Sequence, residues 1–191
     1  MKLPLYTAAA TLIASPALAH LDPGTHGSLA AGLSHPVFGL DHILAMVSVG
    51  LWAVVLGGRA LWALPAAFVG AMVLGYGAAL AGMPLPAVEP MVLASVFILG
   101  LAVALAFAVP LGAAAGLVAL FGVFHGHAHG GELGAAGALQ FGVGFMLATA
   151  ALHAVGVAVA SLLARADIGT KVIRALGGIA ALGGIWVALG G

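Results

Sequence analysis

The chain contains no cysteine. Disulfides, cysteine-based zinc sites and thiolate sites for soft metals are therefore excluded. Charge is nearly as scarce. Five basic and five acidic residues make up 5% of the 191, where a soluble domain carries about 25%. With 64% hydrophobic residues, the chain cannot cover a surface that faces water, and it reads as an integral membrane protein. The formal net charge of zero argues against nucleic acid and against any partner drawn in by long-range charge. Two motifs are also missing. Without a phosphate-binding G-x-x-x-x-G-K-[ST] loop, the chain alone cannot couple to nucleotide hydrolysis, and it lacks the H-E-x-x-H of zinc hydrolases. What remains is an excess of histidine, eight in all.

Met1 to Ala19 has the layout of a secretory signal peptide: Lys2, an apolar stretch from Leu3 to Ile13, and Ala17-Leu18-Ala19 as the small-x-small cleavage signal. The apolar part is short for a span, which takes about 20 residues; an uncleaved extra helix is the alternative. Residues 20–34 form a short polar arm with His20, Asp22 and His26. Residues 35–191 form the membrane domain, with spans expected at about 36–56, 61–81, 91–109, 111–125, 133–163 and 171–189. The expected fold is thus all-α and polytopic, with six transmembrane helices after a cleaved signal peptide. Arg59 falls in one loop, and Arg165, Lys171 and Arg174 lie in or beside another on the same side. The positive-inside rule makes that side cytoplasmic. It leaves the mature N-terminus, the histidine-containing arm and the His125–Glu132 loop outside. Many of the thirty glycines lie in the spans, where small residues let helices approach closely. Three spans and three in opposite orientation also match the plan of inverted-repeat transporters.

Two stretches carry the chemistry. The first is Ser34-His35-Pro36-Val37-Phe38-Gly39-Leu40-Asp41-His42, at the head of the first span. On one continuous helix, His35 and His42 lie about 20° apart around the axis, with Met46 a turn further on. The second is Phe124-His125-Gly126-His127-Ala128-His129-Gly130-Gly131-Glu132. It is expected as the end of the fourth span followed by a flexible loop. Ionisable groups inside an apolar helix are costly and therefore functional suspects. Neutral imidazoles ligate Ni, Co, Cu and Zn, and the carboxylates of Asp41 and Glu132 would balance a doubly charged ion entering a low-dielectric site. Each acid also has a bland reading: Asp41 as a helix-dipole partner, Glu132 as a solvated loop acid. His35, Asp41, His42, His125 and Glu132 form the expected metal site. Met46, His127, His129, His153, His20 and His26 are weaker candidates. His127 and His129 read as loose bait on a loop. His153, mid-span, reads as a satisfied core residue or else a second station for the ion. Asp22, Glu89 and Asp167 are placed on the arm, in a proline-rich loop and among the cytoplasmic cations.

H-x5-D-H opening one span and F-H-G-x-A-x-G-x-E closing another resemble the motifs of the HupE/UreJ family of hydrogenase and urease accessory proteins. His35, Asp41 and His42 match the first motif. Phe124, His125, Gly126, Ala128, Gly130 and Glu132 match the second. The resemblance covers essentially the whole chain. It implies a nickel/cobalt permease that takes up Ni2+, or Co2+, for metalloenzyme maturation. Such a protein is not an enzyme and has no prosthetic group; its partners are the transported divalent ion and membrane lipids, with a homo-oligomer left open. An intramembrane metalloenzyme and a non-conducting metal sensor or store are the alternatives.

Overall fold

The structure, a computed structural model, describes residues 28–133 and 137–190, and of residues 131–133 the backbone alone. The signal peptide expected over 1–19, and His20 and His26 of the arm, lie outside the described residues. Among the described residues the chain is entirely helical: α1 Leu29–Phe38, α2 Leu40–Leu56, α3 Ala60–Leu80, α4 Val88–Ala104, α5 Leu111–Leu133, α6 Ala138–Leu163 and α7 Gly169–Ala188. Four of these, α3, α6, α7 and the Leu111–Gly130 part of α5, are long and apolar enough to cross a membrane. The count rises to five if the bent pair α1 and α2 is one span. The apolar α4 is shorter, at 17 residues.

The first expected span is broken. α1 and α2 meet at 82°, so His35 and His42 stand on different helices. Ser28 starts α1 early, inside the expected arm, by accepting the Ala31 N–H on its Oγ at 3.0 Å. Gly39 then separates the helices in an extended conformation (φ −87°, ψ 114°). It donates to His35 O at 3.3 Å and accepts from the Ile43 N–H at 3.0 Å, serving both helix ends at once. A side chain there would intrude on the site itself, since a Cβ at Gly39 would lie 2.8 Å from His42 Nδ1 and 2.9 Å from Asp41 Oδ1.

The expected histidine loop is helical too: α5 continues through it to Leu133. Glycine ordinarily weakens a helix, but here the packing repays it. At Gly122, Gly126 and Gly130, one per turn, a Cβ would run into the carbonyl oxygens of Phe68, Met72 and Tyr76 on α3. The glycine ridge seats α5 against α3 in parallel register, and the histidines just before two of those glycines are held at one orientation. Gly50 and Gly156 seat α2 against α6, also in parallel, and Gly100 and Gly177 seat α4 against α7 in antiparallel fashion. Exchanging α2 with α5 and α3 with α6 turns the α3–α5 pair into the α2–α6 pair, while α4–α7 pairs with itself. These three pairs are related as in an inverted repeat, but the rest of the packing does not follow it: α2 packs on α4, whereas the counterpart pair α5–α7 barely touches.

The third expected span, α4, stops at Ala104, five residues short of the expected 109. Ala106 takes a left-handed conformation (φ 49°), Phe107 N–H reaches Ala102 O at 2.8 Å and Ala106 N–H reaches Val103 O at 3.0 Å, the bonds of a Schellman cap. One end of the bundle thus carries Arg59, Arg165, Lys171 and Arg174. The other carries the start of α2 and the end of α5, and with them the histidines.

Candidate metal centre

Asp41 and His42 occupy the first turn of α2, where the helix dipole favours a carboxylate. Asp41 Oδ1 accepts the His42 Nδ1–H at 2.9 Å. A carboxylate can only accept, so the bond fixes the His42 tautomer and leaves its Nε2 lone pair aimed away from Asp41. Nε2 of His129, on α5, lies 2.7 Å from it. His35 arrives from the last turn of α1, its ring 4.4 Å from that of His129 and 5.6 Å from that of His42. The three imidazoles, one each from α1, α2 and α5, offer nitrogens that all lie within 4.8 Å of one another. An ion bound at about 2.1 Å would hold such nitrogens no more than about 4.2 Å apart. Around a tetrahedral ion at about 2.1 Å the nitrogens stand about 3.4 Å apart, so the His42–His129 pair, at 2.7 Å, would open slightly and the widest pair would close by up to about 1.4 Å. The Asp41–His42 bond is the arrangement by which carboxylates orient metal-binding histidines and raise their basicity.

The site borders a cavity of about 300 Å³ lined by His35, Asp41, His42, Glu89, Val92, Ala128 and His129. That volume admits an ion with several of its waters, each taking about 30 Å³. Phe145 closes the far side, with its ring 4.6 Å from His129 and 6.0 Å from both His35 and His42, and Phe141 stacks behind it. A larger cavity of about 660 Å³, between α3 and α6, is lined mainly by apolar groups such as Val73, Leu80 and Met146 and holds no ionisable side chain other than Tyr76.

The expected site residues separate. His35, Asp41 and His42 come together with His129, which is held on a helix rather than offered from a loop. His125 stands one turn deeper on the same face of α5, fully buried, its ring 5.2 Å from His42. Its Nε2 pairs with Ser95 Oγ at 2.9 Å, and Ser95 Oγ donates to Val92 O at 2.6 Å. Because Ser95 spends its one hydrogen on a carbonyl, His125 Nε2 must be the donor, which leaves the Nδ1 lone pair buried without a partner. His127 points elsewhere and donates from Nε2 to Met83 O at 2.7 Å, tying α5 to the loop before α4. Met46 is fully buried in the apolar core. Glu132 is on α5, three residues beyond His129 and so on the same side of the helix; its side chain lies outside the described residues. Glu89 and Ser95 were not singled out from the sequence. Glu89 opens α4 and faces the cavity; the signal for it was the one that marked Asp41, a lone acid in the first turn of an apolar helix.

Apolar helices that converge three imidazoles and a carboxylate at one end of the bundle define a multi-pass membrane protein with a candidate site for a divalent transition metal. A family model described as HupE / UreJ protein matches residues 8–187. The chain belongs to that family. It is 43% identical to "Protein HupE" of Rhizobium leguminosarum bv. viciae over 193 residues, covering all of both chains. No solved structure matches it.

Proposed function

We propose that the chain is a permease that takes up Ni2+, and Co2+ as a second cargo, across the bacterial inner membrane. Membership of the HupE/UreJ family supports a part in nickel handling. The observation that carries the reading to a cargo site is the convergence of His35, His42 and His129 from three helices within 4.8 Å, beside a carboxylate that fixes one of them. Imidazole and carboxylate ligands without thiolate suit Ni2+ and Co2+ better than Cu(I).

In this reading the chain crosses the membrane six times, α1 and α2 contributing one broken crossing and α4 another, after a signal peptide that is removed. Its basic end faces the cytoplasm, and the ion enters from the histidine end. Asp41 supplies charge compensation and orients His42. Glu89, at the cavity wall, adds a second negative charge, so a doubly charged ion meets compensation before it leaves water. An ion moving inward down the membrane potential gains about 2.3 kcal/mol per charge per 100 mV, so facilitated uptake needs no further energy source.

The test is uptake of radioactive nickel by cells that express wild type, Asp41→Asn or His42→Ala at matched membrane abundance, with excess Co2+ or Zn2+ as competitor. Uptake by wild type that is lost in both variants supports the reading, and the competition ranks the metals. Wild type no better than empty cells, despite correct insertion, ends it.

A further inference from the structure

Beneath the imidazole trio lies a second histidine that the outer site does not use. Phe145 stands at the trio; Thr149 and His153 follow on the next two turns of the same side of α6, about 6 and 12 Å deeper at 1.5 Å per residue. His153 is fully buried, and neither of its ring nitrogens has a hydrogen-bond partner; the Thr149 hydroxyl also has none. Buried polar groups are ordinarily paired. His125, in the same bundle, shows the ordinary case on one nitrogen through its bond to Ser95. Two unpaired imidazole nitrogens and an unpaired hydroxyl on adjacent turns therefore need an explanation.

A run of rings connects the two levels. His129 lies 4.8 Å from His42, His42 lies 5.2 Å from His125, and His125 lies 5.4 Å from the ring of Phe68, which in turn stands 5.1 Å from His153. Each step is about one ring in length, and the run descends from the histidine end toward the middle of the bundle. His125, whose Nδ1 has no partner, stands in that run between His42 and Phe68.

We propose that His153, with Thr149 one turn above it, is a second and deeper binding station for a divalent transition-metal ion, reached from the outer trio past His125. The proposal rests on the permease reading for its purpose, though not for the existence of the site. The chemistry differs between levels in a way that suits transit. The outer site has the Asp41 carboxylate and holds the ion firmly. The inner station offers a neutral imidazole and a hydroxyl, with no acid on the face around it, so the positive charge is poorly compensated and the ion is held weakly, together with retained water. Conduction needs sites that an ion can leave. Phe68 separates the levels, so an ion leaves one set of ligands before it takes the next.

The experiment uses the full chain in two arms. Co2+ binding to detergent-purified protein is measured by equilibrium dialysis with visible absorption, and Ni2+ entry into proteoliposomes is measured under an inside-negative potential. Wild type should bind two Co2+, one tightly and one weakly. His153→Leu should keep the tight ion with its absorption bands unchanged, lose the weak one, and carry Ni2+ at least tenfold more slowly. Its melting temperature should not fall, because an apolar side chain replaces unpaired polar atoms; a purely structural histidine would show the reverse. Thr149→Val, nearly equal in volume, should weaken the second ion and slow flux several-fold. A wild type that binds one Co2+ only, or a His153→Leu protein that keeps both ions or carries Ni2+ within twofold of wild type, overturns the station. Should His153→Leu fail to fold, His153→Gln and Thr149→Val are held to the same two criteria. Wild type that binds two Co2+, loses one on His153→Leu, yet carries no Ni2+ upholds the station and removes the permease.

Discussion

The two ends of the bundle treat their polar groups in opposite ways. At the basic end they complete helices. Arg174 donates from Nε to Ala104 O at 2.8 Å, closing the C-terminus of α4, and Trp52 donates to Phe107 O at 2.8 Å just beyond it. Cations and donors there meet carbonyls that a helix end leaves unpaired. At the histidine end Ser28 and His127 also bond to backbone, but the groups of the candidate site meet one another. His42 and His129 face each other through ring nitrogens 2.7 Å apart, while Asp41, at the N-terminus of α2, accepts from the His42 ring. A bundle needs the first arrangement to stand up. Nothing in helix packing needs the second, and its ligand atoms gather where an ion could sit. Changes at the histidine end should therefore remove metal and spare the fold, and changes at the basic end should do the reverse.

The largest effect belongs to the imidazoles. His129→Ala or His42→Ala removes a ligand and should lower Co2+ affinity by roughly a hundredfold or more, with nickel uptake near background. Asp41→Asn keeps an acceptor for the His42 N–H and loses only the charge, so a fall of about 10- to 100-fold is expected. Titration of each purified variant, with its melting temperature alongside, checks both. A variant that loses metal only because it melts would erase the contrast between the ends.

Gly126→Ala should break the separation on purpose. The added Cβ meets Met72 O on α3 and lies 2.8 Å from Tyr76 N. Backbone cannot yield as a side-chain tip would, so the overpacking should cost about 1–3 kcal/mol. Because this ridge fixes how α5 presents His125 and His129, affinity for Co2+ should fall together with the melting temperature. Affinity unchanged in a destabilised protein would mean that the ridge holds the helix up without aiming its histidines.

Much of this was legible in the residues. Scarce charge and long apolar runs give a helical membrane chain, and the positions of Arg59, Arg165, Lys171 and Arg174 separate one end from the other. The first motif names three members of the site, because ionisable groups in an apolar segment have few structural reasons to be there. The breaks were harder. Pro36 reads as the first turn of a span; it lies inside α1, and Gly39 makes the turn instead. That choice depends on local side-chain geometry that residue propensities do not carry, the need for empty space beside Asp41 and His42, two and three residues on. The glycines among the histidines read as a loop because helix propensity penalises them. Yet Gly122, Gly126 and Gly130 recur every four residues, the spacing at which small residues seat one helix on another. Reading that period through to Gly130 would have kept His125 and His129 on one face. Glu89 was hidden by the prolines around it, which mark a loop as readily as a helix start.

At the basic end, Arg174→Ala removes a cation from the α4 terminus. The loss should be about 1 kcal/mol, read as a fall of about 2–4 °C in melting temperature for a chain of this size. Co2+ affinity should stay within twofold of wild type. A tenfold loss of affinity here would show that the two ends are coupled, and the separation of roles would fail.

The smallest effect has the opposite sign. Ala106 ends α4 with φ at 49°, a conformation in which a Cβ crowds the neighbouring carbonyl at a cost of about 1–2 kcal/mol. Glycine has no such penalty, though it gives back about 0.5–1 kcal/mol because the unfolded chain gains freedom. Ala106→Gly should therefore stabilise the protein by roughly 0.5 kcal/mol, about 1–2 °C, and leave metal binding untouched. A drop in melting temperature would mean that the Ala106 methyl group makes packing contacts worth more than the strain it brings. The basic end would then hold together through side-chain packing around the cap as well as through its hydrogen bonds.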